Sequence, residues 1–97
     1  MPTYIGLYKW TDQGIKNVKD SVTRSQQAQA AFEKSGAKVI GIYWTQGPYD
    51  IVTIGEWPDE DSAMAAALSL AKQGNVQTLT LRAFSAADMQ RIMAKVQ

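Results

Sequence analysis

The 97-residue sequence contains no cysteine and no histidine. Without cysteine the chain has no disulfide framework, and it has no thiolate that could act as a nucleophile or a metal ligand. Without histidine it lacks the commonest general base and the commonest metal ligand, which excludes a haem ligated by a histidine of this chain. We therefore expect no metal site and no cofactor.

Surplus charge and long hydrophobic runs are also missing. Ten Lys and Arg residues against nine Asp and Glu residues leave a net charge of +1, whereas binding to nucleic-acid phosphates needs a surplus of cations. No apolar stretch approaches the roughly 20 residues that cross a bilayer. The first residues also lack the basic segment and apolar run of a signal peptide. We expect no nucleic-acid partner, no membrane association and a cytoplasmic location.

The residues that are present are those of an ordinary globular protein. Hydrophobic residues make up 45% of the chain and charged residues 20%, which is too apolar for a disordered segment. The length fits one domain, so we expect residues 1–97 to form a single unit.

Hydrophobic periodicity predicts four strands, two main helices and a C-terminal helix. The turn residues Gln46–Tyr49 join two strands so tightly that these must form an antiparallel hairpin. The order strand, helix, strand, strand, helix, strand is typical of an α+β ferredoxin-like β-α-β-β-α-β sandwich, a four-stranded antiparallel sheet with its helices on one face. The strands are predicted at 3–10, 37–45, 50–57 and 75–84, and the helices at 22–34, 58–73 and after 85.

Alternation along the strands divides the side chains between two faces of the sheet. We expect the helices to cover Ile5, Leu7, Ile40, Ile42, Val52, Ile54, Leu79 and Leu81. The opposite face then carries Tyr4, Tyr8, Trp10, Val39, Tyr43, Ile51, Thr53, Trp57, Thr78, Thr80, Arg82 and Phe84. That second face is too aromatic to remain in water on a stable monomer. A second copy of the chain is expected to cover it, as a homodimer or a multiple of dimers, with a partly polar cleft between the paired sheets.

The sequence resembles the GYD-domain family, whose members are assigned to the dimeric α/β-barrel superfamily. The motif that names the family stands here as Gly47-Pro48-Tyr49-Asp50, and the likeness covers nearly the whole chain. Further matching segments are Trp10–Gly14, Tyr43–Thr45, Glu56–Asp59, Arg24, Gly74–Val76 and Thr80–Phe84. The resemblance implies a barrel formed by the sheets of two protomers. Because that superfamily includes monooxygenases, isomerases and stress-response proteins, the resemblance does not imply one chemistry.

Six residues are candidates for a site, and each has a structural alternative. Asp50, beside Tyr49, could act as a general base or hold a polar ligand, or it could accept backbone N–H bonds and fix the hairpin. Tyr8, Tyr43 and Arg82 could bind an anionic or phenolic ligand, together with Thr80, or they could belong to a dimer interface. Arg24, near a helix start, is expected to have a carboxylate partner, with Asp20 as the local choice and Asp50 as the distant one, because the helix dipole disfavours a cation there.

Two functions from different classes fit these observations. The first is a homodimer that binds or transforms a small aromatic or carboxylate metabolite in the cleft between the paired sheets. The second is a non-enzymatic interaction or assembly module whose sheet face serves only oligomerisation. Whether the chain is an enzyme stays open at this point.

Overall fold

The computed structural model describes residues 1–97 and confirms the predicted order of elements. Each predicted strand and helix lies where the sequence pattern places it, with bounds that differ by one or two residues, and the structure adds a short helix and a 3₁₀ turn before the first main helix. The strands are β1 Thr3–Trp10, β2 Lys38–Trp44, β3 Ile51–Glu56 and β4 Val76–Ala83. The helices are α1 Asp12–Lys16, α2 Ser21–Lys34, α3 Glu60–Lys72 and α4 Ala86–Met93, with one 3₁₀ turn at Val18–Asp20.

The four strands form one antiparallel sheet in the order β2-β3-β1-β4. The first strand is therefore central and pairs with both β3 and β4. This is the ferredoxin-like arrangement, in which two strand–helix–strand units are joined by the β2–β3 hairpin. Helices α2 and α3 lie over one face of the sheet, and a groove lined by both helices runs between them.

Local signals in the sequence explain where the helices begin and end. The Asp59 carboxylate accepts the backbone N–H of Ser62 at the start of α3, and this bond lowers the pKa of the Asp59 carboxyl. Ser85 and Asp88 form a reciprocal capping box at the start of α4. Gly74, with a φ of +81°, follows α3 in a conformation that glycine adopts without strain.

The prediction of which sheet face meets the helices was wrong for most of the strand residues, although Ile42 borders the space beneath the helices as predicted. Tyr4, Tyr8, Thr53 and Thr80 all border the space between the sheet and the helices, so the aromatic and polar face is the one that lies toward the helices. The physical reason lies in the helices, because α2 and α3 turn small side chains toward the sheet. Large rings on the sheet are needed to fill the layer, and the aliphatic side chains are left on the other face.

A β-bulge in β2 places Tyr43 and Tyr8 on opposite faces of the sheet, although they were predicted to share one face. The register with β3 shifts between Val39 and Gly41, so one residue of β2 has no partner. Because side chains alternate along a strand, this extra residue moves Tyr43 to the face opposite Tyr8. Tyr43 lies across from Val52 and is 57% exposed.

The aliphatic side chains that face away from the helices form a continuous array, which we call the bare sheet face. In the register of the central strands, Ile5 lies between Ile54 and Leu81, and Leu7 lies between Val52 and Leu79. Leu79 and Leu81 are 47% and 44% exposed. No element of the chain covers this face. The bare sheet face consists of Ile5, Leu7, Tyr43, Val52, Ile54, Leu79 and Leu81.

Three strand glycines lie beneath aromatic rings, which explains why glycine stands in the middle of a strand. A Cβ atom on Gly55 would come within 2.5 Å of the Trp57 ring, so no larger residue fits without displacing that ring. The ring in turn shields the backbone that glycine would leave exposed. The same spacing of two residues recurs in each pair. The pairs are Gly6 with Tyr8, Gly41 with Tyr43 and Gly55 with Trp57.

None of the helices has the length and apolar character that a membrane span requires.

Candidate functional site

A cavity of about 110 Å³ lies between the sheet and the two main helices. It exists because the helices contribute little volume to this layer. The face of α3 toward the sheet consists largely of Ala63, Ala66 and Ala67, and α2 adds Ser25 and Ala28. Methyl and hydroxymethyl groups cannot reach the strands, so the space stays open. We call this space the sheet–helix cavity.

The floor of the cavity is the half-buried phenol of Tyr8 on β1. The Tyr8 hydroxyl lies 3.1 Å from Oγ1 of Thr53, and the Tyr8 ring passes over Gly6. Burial raises the pKa of the Tyr8 phenol, and the hydrogen bond with Thr53 offsets this only in part. Tyr8 is therefore protonated at neutral pH, which suits a hydrogen-bonding group and not an anionic base.

One wall of the cavity is aromatic. Trp57, just after β3, meets the Tyr4 ring edge-on at 6.2 Å between centroids and the Phe32 ring at 6.3 Å. Such edge-on and tilted arrangements are favourable for aromatic pairs. The three rings link β1, α2 and the start of α3, so they give this wall a fixed shape.

Arg24 of α2 lies where the cavity meets the groove between α2 and α3, because it borders both spaces. Its Nη1 donates to the carbonyl oxygen of Asn17 at 2.8 Å. The predicted carboxylate partner was wrong, since the one ion pair of the chain joins Arg91 and Asp88. Arg24 thus uses one of its N–H donors within the chain and presents the others without a protein acceptor.

Of the six predicted site residues, the structure brings two to the cavity. Tyr8 and Thr80 both line it, on neighbouring strands. Tyr43 lies on the opposite face of the sheet, and Tyr49, Asp50 and Arg82 lie beyond the cavity lining. Sequence reasoning missed Ser25 and Gln29, which border the cavity from α2; their spacing of four residues places them on one face of a helix.

Asp50 joins the β2–β3 hairpin to the end of β1. Its carboxylate accepts the backbone N–H of Trp10 at 2.9 Å, and its own N–H donates to the carbonyl oxygen of Tyr8 at 2.8 Å. Within the turn, the Thr45 hydroxyl donates to the carbonyl oxygen of Tyr49 at 2.6 Å. The contacts of Asp50 are thus with the backbone, which is the geometry expected of a residue that fixes a hairpin.

Replacing Asp50 with alanine should lower the free energy of unfolding by about 1–3 kcal/mol, because the half-buried N–H of Trp10 loses its charged acceptor. Asp50→Asn keeps an acceptor oxygen and should lose less. Urea unfolding of both variants beside the wild type measures the difference. An Asp50→Ala variant with wild-type stability would remove the structural role from this residue.

Arg82 makes its contacts at one end of the sheet. Its guanidinium donates to the backbone carbonyl oxygens of Thr3 and Ala83. It also lies over the rings of Phe84, at 4.4 Å, and Tyr4, at 5.7 Å, distances at which a cation is attracted to an aromatic face. These contacts hold the ends of β1 and β4 together.

Two of the segments on which the family resemblance rests form one cluster in space. The Thr11 hydroxyl donates to the carbonyl oxygen of Gly74 at 2.5 Å, and the backbone N–H of Thr11 donates to the carbonyl oxygen of Asn75 at 3.1 Å. The Gln13 amide donates to the Asn75 side chain at 2.9 Å, and Gly14 packs against the Asn75 backbone. The cluster anchors α1 to the loop before β4.

The arrangement is suited to binding more than to proton transfer. The cavity lining is mainly apolar and includes no carboxylate, and its phenol is held protonated by burial. A general base needs a pKa near the working pH and reach to the substrate. The raised pKa of Tyr8 does not meet the first requirement, and the carboxylate of Asp50 bonds to the backbone outside the cavity lining. The cavity offers a ligand an apolar space of defined shape, one guanidinium and a few hydroxyl groups.

Comparison with known proteins identifies a family and one relative. The family model described as the GYD domain matches residues 4–93. A protein of Thermus thermophilus described as "Glutamine synthetase and cystathionine beta-lyase binding protein" is 36% identical over 90 residues, which is 92% of this chain and 95% of the relative. The matched length includes both the hairpin motif and the cluster around Gly14.

Proposed function

The chain belongs to the GYD-domain family, and from that premise we propose that it is a homodimeric, non-catalytic binding protein whose protomers pair through their bare sheet faces. The observation that carries this proposal is the uncovered aliphatic array on the sheet. The family resemblance, with its barrel of two paired sheets, supports the same pairing.

The composition of the bare sheet face supports a second copy as its cover. Its two rows of three aliphatic side chains, Ile54–Ile5–Leu81 and Val52–Leu7–Leu79, run across three adjacent strands without an intervening charge. Charged side chains lie at the ends of the strands, with Lys9 at one end and Glu56 at the other. An apolar patch rimmed by polar residues is typical of a protein interface. A two-fold axis would place the same patch on both protomers.

The protein partner that we propose for the dimer is a metabolic enzyme of the kind named for the relative. The two chains are 36% identical over nearly their full length, and we therefore extend the binding role named for the relative to this chain. Since pairing would occupy the bare sheet face, the enzyme would meet the outer helical surface of the dimer. We place this interaction in the cytoplasm.

The test is a titration of the purified protein with purified glutamine synthetase and, separately, cystathionine β-lyase of the organism that encodes it. We expect saturable binding to at least one enzyme in the micromolar range or tighter, measured by analytical ultracentrifugation. A bovine serum albumin titration is the control for nonspecific association. Absence of binding to both enzymes would contradict the partner assignment and leave the pairing of the sheets to be judged separately.

A second candidate function is the binding of a small aromatic or carboxylate metabolite, and the sheet–helix cavity favours it. In this candidate the ligand binds within each protomer, in the cavity that Tyr8 and Thr80 both line, and not in a cleft between paired sheets. This candidate is compatible with the first, because the cavity lies on the opposite side of the sheet from the bare sheet face. A ligand bound there would raise the Tm of the protein.

A further inference from the structure

We infer that the sheet–helix cavity selects a small monocarboxylate with a compact apolar body, whose carboxylate is bound by Arg24 at the mouth. This inference rests on the small-molecule candidate above and adds the chemical class of its ligand. It does not depend on the binding of an enzyme partner.

The charge of the ligand follows from the unpaired guanidinium. Arg24 gives one N–H to the Asn17 carbonyl and has no carboxylate partner. A guanidinium presents parallel donors that match the two oxygens of a carboxylate. No lysine and no second arginine borders the cavity, so a dianion such as a phosphate monoester would be only half neutralised. One cation without a carboxylate partner therefore favours a monoanion.

The apolar body follows from the rest of the lining. Beyond Arg24, the cavity is bordered by the aromatic wall of Tyr4, Phe32 and Trp57 and by the alanines of α3. The Tyr8 hydroxyl and the Thr53 hydroxyl form a hydrogen bond with each other, so neither requires a hydrogen bond from the ligand. An apolar cavity of this kind gains affinity by removing hydrocarbon from water.

The size of the cavity sets an upper limit on that body. Its volume is about 110 Å³, somewhat below the roughly 150 Å³ of an engineered apolar cavity that holds benzene. The apolar body is therefore no larger than a single ring, and we expect the polar end of the ligand to extend toward the groove between α2 and α3, which Arg24 borders. Benzoate matches this description, and benzamide has the same shape without the charge.

The experiment measures the affinities of benzoate and benzamide for the full-length protein by chemical-shift titration in NMR. Four proteins are compared: wild type, Arg24→Gln, Ala67→Leu and Arg91→Gln. Arg24→Gln should weaken benzoate about tenfold or more, since the charge-assisted bonds are lost, and leave benzamide unchanged. Ala67→Leu, which fills the cavity, should abolish binding of both compounds. Arg91→Gln removes an exposed arginine of α4 and should behave as wild type.

Three contrary results distinguish an error in the charge selection by Arg24 from an error in the location of the binding site. If Arg24→Gln weakens both compounds equally or neither, the charge selection is wrong, and the cavity remains a neutral binding site. If Ala67→Leu leaves benzoate binding intact, the ligand lies elsewhere and the inference fails. If neither compound binds the wild type, the inference fails together with the small-molecule candidate, and the enzyme-binding proposal is unaffected.

Discussion

Replacing Leu81 with glutamate should convert the protein from the proposed dimer into a folded monomer. Leu81 lies in the row Ile54–Ile5–Leu81 on the bare sheet face and is 44% exposed in the single chain, so a glutamate there can remain hydrated in the monomer. In the dimer the same carboxylate would be buried against aliphatic side chains without a partner. Two-fold symmetry brings the substitution into the interface twice.

We expect the dissociation constant of the dimer to rise by roughly a thousandfold or more, which corresponds to about 4 kcal/mol. Sedimentation equilibrium across a range of concentrations measures this change, and circular dichroism confirms that the monomer is folded. Leu68→Glu is the matched control, because Leu68 lies on the outer side of α3 and is 56% exposed. If Leu81→Glu and Leu68→Glu dimerise as the wild type does, the bare sheet face is not the interface.

Replacing Gly14 with alanine should be the most destabilising methyl addition in the chain. Gly14 is buried within α1, and a Cβ atom on it would collide with the backbone carbonyl of Asn75. Alanine is otherwise the better helix former by about 1 kcal/mol, so propensity alone predicts stabilisation. The collision must separate α1 from the loop before β4 and weaken the hydrogen bonds of Thr11 to Gly74 and Asn75.

We expect the free energy of unfolding of Gly14→Ala to fall by about 3 kcal/mol or more, at the upper end of the cost of overpacking a well-filled site. Gly47→Ala is the comparison, because nothing lies within 4 Å of its Cβ position but its φ of +113° disfavours alanine. That variant should lose only about 1–2 kcal/mol. Urea unfolding measures both. A Gly14→Ala protein as stable as the wild type would contradict this prediction, because it would mean that the backbone around Asn75 shifts to admit the methyl group at little cost.

The order of elements could be predicted because local signals mark it. Gly36 and Gly74 follow the two main helices with φ values of +96° and +81°, and Ser85 begins the last helix with a capping box. These residues act through their immediate neighbours in the sequence, so a reader of the sequence can recognise them. The hairpin turn before Asp50 is predictable for the same reason.

The assignment of faces failed because it depends on residues that are far apart in the sequence. Ile5 and Leu7 alternate with Tyr4 and Tyr8, and each set is apolar enough to meet a helix. What decides is the small size of the side chains on α2 and α3, which leaves room for rings and not only for aliphatic chains. The β-bulge between Val39 and Gly41 also reverses which face each later residue of β2 occupies, and the alternation of residue types does not show where a bulge lies.

The candidate site was predicted only in part for the same physical reason. Alternation along β1 and β4 correctly placed Tyr8 and Thr80 on one face of the sheet, but that face borders the helices and not a cleft between paired sheets. The cavity exists because the alanines of α3 and Ser25 of α2 are too small to fill the space above the sheet. No sequence motif indicates such a space. Arg24 gave a usable signal, since a cation early in a helix needs a partner. The structure shows a backbone carbonyl there and leaves most of the guanidinium free.

The bare sheet face is proposed to pair two copies of the chain. Sedimentation equilibrium of the wild-type protein at micromolar concentration tests this pairing most directly, because the measured mass does not depend on molecular shape. We predict a mass of twice the 10.7 kDa of one chain, or a multiple of that dimer. A stable species of 10.7 kDa over the whole concentration range would contradict the claim.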